Sequence, residues 1–92
     1  MLNLPSALSE TSQQIQRQTL DVLKVESGLD YFDLAGKINQ APFRVRAELR
    51  VMKSGGYVQS YDDGVRIKWE LTPAGYELAF GRDQLKLWEL GR

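Results

Sequence analysis

Four cationic side chains lie close together near the middle of the chain: Arg44, Arg46, Arg50 and Lys53. A guanidinium group presents several N–H donors in a planar fork, so it can bind a phosphate or the O6 and N7 acceptors of guanine. These residue types, spaced to share one helix, indicate binding of a polyanion. Exposed arginines are also common on ordinary solvated helices, and that is the competing interpretation.

Residue types that carry catalysis or bind metals are scarce. The sequence has no cysteine and no histidine, which excludes disulfides, thiol catalysis and the usual Cys/His zinc sites. The pair Asp62-Asp63 precedes a glycine and suits a turn. No serine lies in a nucleophile motif, and the acidic residues are too scattered for a metal site. We therefore expect no enzymatic activity, no cofactor and no metal.

The chain has 92 residues, with 12 basic and 12 acidic side chains. Residues 41–70 hold six basic against four acidic side chains, so positive charge is mildly concentrated there. The neutral total counts against nucleic-acid binding, because domains with that function are often basic. No signal-peptide pattern and no apolar run of membrane-spanning length is present, so we expect a cytoplasmic protein that does not bind membranes.

The central cations need a helix to position them, and the spacing of apolar residues predicts one from Pro42 to about Lys53. Val45, Leu49 and Met52 recur at helical spacing and would face inward. Two helices are predicted before it, from about Glu10 to Val25 and from Tyr31 to Ile38. A further helix is predicted after Thr72, which would cap it.

A β-hairpin is predicted between the third helix and the last one, because the apolar period changes to two. Asp63-Gly64 lies between the alternating runs and favours a two-residue turn. That turn would place Val58 opposite Trp69 and Tyr61 opposite Arg66. The inner face would carry Val58, Ile67 and Trp69, and the outer face would carry Gln59, Tyr61, Arg66 and Lys68.

The order of these elements is that of the winged helix-turn-helix fold. The sequence resembles winged helix-turn-helix transcriptional regulators of the MarR and PadR type. The resemblance lies in Leu34-Ala35-x-x-Ile38, Val45-x-x-x-Leu49-x-x-Met52, Gly56-Tyr57-Val58 and the segment Leu71-Thr72-Pro73-Ala74-Gly75 that leaves the wing. It covers about residues 13–79. It implies an α+β fold with a three-helix core, a two-stranded β-hairpin wing and a C-terminal helix.

The resemblance also implies a small DNA-binding transcriptional regulator that acts on double-stranded DNA as a homodimer. The second helix would position the third, whose N-terminal residues would read base edges in the major groove. The residues expected to bind DNA are Phe43, Arg44, Arg46, Ala47, Arg50, Lys53, Tyr61, Arg66 and Lys68.

We divide the chain into a flexible N-terminal arm (1–8), a winged helix domain (9–80) and a C-terminal helical segment (81–92). Phe80, Leu85 and Trp88 are a large apolar set for the outside of a small monomer. In MarR- and PadR-like proteins the terminal helices build the dimer, so this segment is the expected dimerisation element. The alternative is that these residues fold back and complete the core.

A second hypothesis is a winged helix that binds a protein partner and not DNA, such as a complex subunit or a phage or viral inhibitor. The central reading positions, Phe43 and Ala47, offer no hydrogen bonds; they can touch a thymine methyl group or form an apolar patch for a protein. The predicted wing tip, Asp62-Asp63, would repel phosphate. The sequence leaves both hypotheses open.

Overall fold

The computed structural model describes residues 10–81. Along the chain it has helices α1 (Glu10–Val25), α2 (Tyr31–Ile38) and α3 (Pro42–Ser54), then strands β1 (Val58–Asp62) and β2 (Ile67–Leu71). A fourth helix, α4, covers residues 73–81. The predicted helices and hairpin are confirmed. The predicted arm and residues 82–92 of the predicted C-terminal segment lie outside the described residues.

The turn between α2 and α3 is fixed by the residues at its two ends. Asp30 caps α2, since its Oδ1 accepts a hydrogen bond of 2.7 Å from the backbone N–H of Asp33. Asn39 ends α2 in the left-handed conformation, with φ 57°, which asparagine tolerates better than most residues. Pro42 then occupies the first turn of α3, where no N–H is needed. These caps hold α2 and α3 as two separate helices joined by a short turn.

The core lies where α1, α2 and α3 meet the inner face of the hairpin. The predicted inward residues of α3 are confirmed: Val45 and Leu49 are fully buried and Met52 is 3% exposed. Burying a side chain of this size stabilises the fold by roughly 1.5–3 kcal/mol. The buried apolar set is Ile15, Leu20, Leu23, Leu29, Leu34, Ala35, Ile38, Val45, Leu49, Met52, Val58, Trp69, Leu71 and Ala79.

The predicted register of the hairpin is wrong by two residues. Val58 pairs with Leu71 and Ser60 with Trp69, whereas Val58 was expected opposite Trp69. The tip residues are Gly64 and Val65, because the N–H of Asp63 bonds the carbonyl of Arg66 at 3.1 Å. Gly64 adopts φ 96°, a conformation that favours glycine. The glycine is therefore the first residue of the tip rather than the second.

The shift leaves the inner face of the hairpin largely as predicted but moves two residues. Val58 and Trp69 are buried, at 2% and 7% exposed. Ile67, expected inside, is 47% exposed because it pairs with Asp62 at the end of the ladder, beyond the core. Arg66 falls in the turn, outside β2. An isolated backbone bridge from Leu29 to Trp69 joins the segment between α1 and α2 to β2.

The exit from the hairpin is tightly packed against the turn that follows α3. The Thr72 hydroxyl accepts a 3.1 Å hydrogen bond from the N–H of Gly75 and donates to the carbonyl of Gly56. Thr72 therefore caps α4, as predicted. A Cβ atom at Gly75 would overlap the carbonyl oxygen of Tyr57. Only glycine fits at this position, because the backbone of the hairpin entry passes directly over it.

Candidate functional site

The outer side of α3 stands in solvent, as predicted. Its inner residues fix the helix to the core, and the residues between them point outward. Phe43 is 73% exposed, a high value for an aromatic side chain. The exposed members of the predicted site on this helix are Phe43, Arg44, Arg46, Ala47, Arg50 and Lys53. Six of the nine predicted residues thus lie together on one helix surface.

The arginines of α3 are available for an external partner. Within residues 10–81, none of Arg44, Arg46 and Arg50 takes part in an ion pair. Arg46 lies over the ring of Tyr31, with its Cζ 5.8 Å from the ring centroid. The acidic residue of α3, Glu48, instead accepts a 2.8 Å hydrogen bond from the side-chain amide of Gln16 on α1. The positive charge of this helix is therefore directed outward.

A groove lined by both charged and aromatic side chains runs between α3 and the inner face of the hairpin. Its volume is about 370 Å³. Lys53 of α3 reaches across the groove to the hairpin. Its Nζ donates a 3.0 Å hydrogen bond to Ser60 Oγ and lies 5.8 Å from the ring centroid of Trp69. The groove is lined by Tyr31, Arg46, Arg50, Lys53, Ser60, Ile67 and Trp69. Three cations and a hydroxyl around one groove form a suitable site for a phosphate group.

A shallow hollow lies on the other side of the same arginines. It has a volume of about 350 Å³ and is lined by Phe43, Arg46, Ala47 and Arg50. Arg46 and Arg50 are four residues apart, so they stand one above the other on the helix. Arg46 and Arg50 thus line both the groove and the hollow, and the other lining residues of the hollow are Phe43 and Ala47.

Two of the predicted wing residues lie away from α3. Residues alternate across a strand, and Ser60 and Trp69 face inward, so their neighbours Tyr61 and Lys68 face outward. Tyr61 is 44% exposed. Lys68 lies on the same outer face, with its Nζ 3.6 Å from Asp63 Oδ2. The structure therefore places these two residues on the opposite side of the hairpin from the groove.

Arg66 was predicted on the outer face of the hairpin, and that placement is wrong. Its Nη1 lies 2.7 Å from Asp30 Oδ2 and 4.0 Å from Asp33 Oδ2, at the start of α2. The pKa of Asp30 is lowered mainly by the hydrogen bond from the Asp33 N–H and further by Arg66, against the opposing effect of burial. Arg66 therefore joins the wing to the helix-turn-helix.

The acidic wing tip has a local structural role. Asp62 Oδ1 accepts a hydrogen bond from the N–H of Gly64 at 2.8 Å. Asp63 Oδ1 accepts from the N–H groups of Val65 and Arg66, both at 2.9 Å. The bonds from Arg66 and Val65 lower the pKa of Asp63, so this carboxylate is charged at neutral pH. The tip holds its own turn together and carries negative charge.

The sequence did not identify four residues of the groove: Tyr31, Ser60, Ile67 and Trp69. Trp69 was predicted as core, which is correct, yet part of the residue also lines the groove. Ser60 pairs with Trp69 only in the observed register. Alternation along β1 from the inward-facing Val58 would have placed Ser60 on the face of the hairpin that lies beside α3.

Residues 10–81 contain neither a cluster of metal-binding side chains nor a membrane-spanning helix. His, Cys, Asp and Glu side chains do not gather there in any group of three or more that could hold a metal ion. The helices in that stretch are also too short or too polar to cross a membrane.

Three helices, a helix-turn-helix connection, a hairpin and a following helix define a winged helix-turn-helix domain. MepR of Staphylococcus aureus has the same fold: one MepR structure gives a TM-score of 0.72 at 22% identity over 84% of this chain and 63% of that chain. A MepR–DNA complex gives 0.71 at 24% identity over 83% and 68%. MepR is a transcription regulator of the multidrug efflux pump MepA.

Two further solved structures extend the comparison. ZitR of Lactococcus lactis gives a TM-score of 0.70 at 18% identity, over 84% of this chain and 54% of that chain. The Zα domain of Carassius auratus PKZ, solved with Z-DNA, gives 0.61 at 17% identity over 68% and 100%. This chain thus spans 63% of the first MepR structure and 54% of ZitR.

At these identities the similarities concern the fold, and they confirm the predicted winged helix. No protein-family profile matches the sequence, and no curated protein matches it either.

Proposed function

We propose that this protein is a small transcriptional regulator that binds double-stranded DNA, with α3 as the recognition helix in the major groove. One observation carries the proposal: Arg46 and Arg50 stand exposed beside a groove that also contains Lys53, and within residues 10–81 neither of them forms an ion pair. Such a cluster of uncompensated cations is stabilised by a polyanion. The function is binding, without catalysis or a cofactor.

The comparisons support this proposal through the fold. MepR and the PKZ Zα domain were both solved with DNA, and MepR is a transcription regulator. Because one fold can serve many functions, the argument for this chain depends on its own residues. The exposed cations of α3 supply that argument.

We assign different roles to the two sides of α3. The groove residues Arg46, Arg50 and Lys53 would hold backbone phosphate, with the Ser60 hydroxyl as a further donor. Arg44, on the other flank of the helix, would contact a base edge or the opposite strand. Phe43 and Ala47, near the N-terminus of α3, would face the bases, because the first turns of a recognition helix reach deepest.

The wing contributes less in this proposal than the sequence indicates. Phosphate contacts by Tyr61, Arg66 and Lys68 stay predictions. Arg66 and Lys68 each already have a carboxylate partner, Asp30 and Asp63 respectively. A phosphate would have to compete with these partners, whereas no carboxylate of the described part of the chain pairs with Arg46 or Arg50.

We further propose that the protein acts in the cytoplasm as a homodimer on a pseudo-palindromic site. Support comes from α4, where Tyr76, Leu78 and Phe80 are 37%, 40% and 42% exposed. Two further apolar residues of the sequence, Leu85 and Trp88, lie outside the described residues. Sedimentation analysis of the full chain should give twice the monomer mass, and a monomer at micromolar concentration would contradict the dimer.

A protein partner is the second candidate function, and two observations favour it. Phe43 is 73% exposed, which matches an apolar protein surface as well as a DNA groove. The charged wing tip, Asp62 and Asp63, would repel phosphate at one edge of the interface. In this case α3 would bind a partner with an apolar, acidic surface.

The decisive experiment is selection of binding sequences from a random duplex library by the full chain. The proposal predicts enrichment of a related set of sequences, and loss of that enrichment for an Arg46→Ala/Arg50→Ala variant. A pull-down from cell extract, analysed by mass spectrometry, runs beside it. No enrichment, together with passage through a heparin column at low salt, would favour the protein partner instead.

A further inference from the structure

We propose that Phe43 and Ala47, the two apolar residues that line the hollow of α3, recognise the 5-methyl group of thymine in the major groove. This inference rests on the proposed function and names the base chemistry that the same site selects. Phe43 and Ala47 would contact the methyl group, and Arg46 and Arg50 would hold the neighbouring backbone. The protein would therefore discriminate thymine from uracil and cytosine at one or two positions of each half-site.

The side chains of the hollow suit an apolar group of the DNA. Its base-facing side chains, Phe43 and Ala47, are a phenyl ring and a methyl group, and neither donates nor accepts a hydrogen bond. They lie four residues apart, one turn of helix, on the outward side of α3. Phe43 is 73% exposed, so a bound apolar group would cover surface that is otherwise in water.

The positive charge beside the hollow favours a nucleic acid. Arg46 and Arg50 line both the hollow and the groove that contains Lys53 and Ser60. A phosphate bound in the groove would therefore lie beside the hollow, with the edges of nearby bases within reach of it. Charge complementarity thus selects a nucleic acid as the occupant, and the hollow then faces the bases.

The four bases present different groups in the major groove. Thymine presents a C5-methyl group there, the only apolar substituent among the four bases. Cytosine and adenine present amino groups, whose N–H donors would meet Phe43 and Ala47 without an acceptor. The hollow therefore favours thymine by contact and disfavours the amino bases by leaving their donors unpaired.

The test removes the methyl group alone. The duplex enriched in the random selection is prepared with thymine, and again with deoxyuridine at each thymine position in turn, and binding to the full chain is measured by fluorescence anisotropy. At one or two positions per half-site, deoxyuridine should weaken binding about fourfold, the effect of one buried methyl group. At the other thymine positions the change should be within twofold.

Two variants test whether the weaker binding of the deoxyuridine duplexes arises at the hollow. In Phe43→Ala the thymine and deoxyuridine duplexes should bind equally at the sensitive positions. Val25→Ala, a comparable truncation of a residue that is 83% exposed at the end of α1, should keep the fourfold difference. DNA binding with no sensitive thymine, or with the difference intact in Phe43→Ala, would overturn this inference and leave the proposed function standing. Failure to bind any duplex would overturn both.

Discussion

The guanidinium group of Arg66 lies 2.7 Å from Oδ2 of Asp30, across 36 residues of sequence. The other oxygen of the same carboxylate caps α2, through the N–H of Asp33. One side chain therefore fixes the start of α2 and holds the turn of the wing beside it. Asp30 is 6% exposed, so its carboxylate is nearly inaccessible to solvent.

Removal of the Asp30 carboxylate should destabilise the fold through two losses that can be measured separately, the cap of α2 and the ion pair with Arg66. Asp30→Ala loses the cap and the ion pair, and we expect the free energy of unfolding to fall by about 1–2 kcal/mol. Asp30→Asn keeps the cap, because an amide oxygen can accept the same hydrogen bond, and should cost less. Urea denaturation at neutral pH measures both. Equal losses in the two variants would show that the cap contributes nothing.

The same carboxylate predicts a pH dependence. The pKa of Asp30 in the folded chain lies below its ordinary value of 3.8. The ionised group therefore stabilises the fold above that value, and its contribution is lost as the pH falls through the lowered folded pKa. The difference in unfolding free energy between the natural chain and Asp30→Asn should be constant from neutral pH to about pH 5 and shrink below pH 4. A difference that grows in acid would contradict this account.

The glycine in the wing exit should tolerate no side chain. A Cβ atom at Gly75 would overlap the backbone of Tyr57, which cannot move without displacing the hairpin. We expect Gly75→Ala to lower the free energy of unfolding by more than about 2 kcal/mol. Gly36, inside α2, has open space around it and supplies the matched control: Gly36→Ala should stabilise by about 0.5–1 kcal/mol. Thermal denaturation of the two variants would show opposite shifts; shifts of the same sign would refute the packing argument.

Neutralising the wing tip should strengthen DNA binding. In an Asp62→Asn/Asp63→Asn variant the amide oxygens can still accept the backbone hydrogen bonds that hold the turn, but the negative charge is gone. Affinity for duplex DNA at low salt should rise severalfold, because phosphate is no longer repelled. Anisotropy titrations of the variant and the natural chain measure the change. Unchanged affinity would place the tip away from the DNA.

Much of the fold could be predicted from local signals. Asp30, Pro42 and Thr72 mark helix starts through hydrogen bonds or geometry within a few residues, and these starts are confirmed. The hairpin register could not be fixed in this way, since both Asp63-Gly64 and Gly64-Val65 are acceptable tips. Tertiary contacts and the capping bonds of Asp63 decide between them.

The candidate site also has one part that local sequence signals predict and one part that depends on tertiary contacts. The exposed arginines of α3 follow from helical periodicity, because Val45, Leu49 and Met52 fix which side faces outward. The pairing of Arg66 with Asp30 and the groove between Lys53 and Ser60 depend on contacts between separate elements. A sequence pattern read along the chain carries no signal for either contact.

The salt dependence of DNA affinity tests the central claim most directly, namely that the α3 cations bind backbone phosphate. The logarithm of the binding constant is measured against the logarithm of salt concentration for the natural chain and for Arg46→Ala/Arg50→Ala, with Arg17→Ala on α1 as the control. The account predicts weaker binding by the double variant, a slope shallower by about 1.8 for the two lost phosphate contacts, and an unchanged slope in the control. Equal affinities and equal slopes for all three proteins would contradict it.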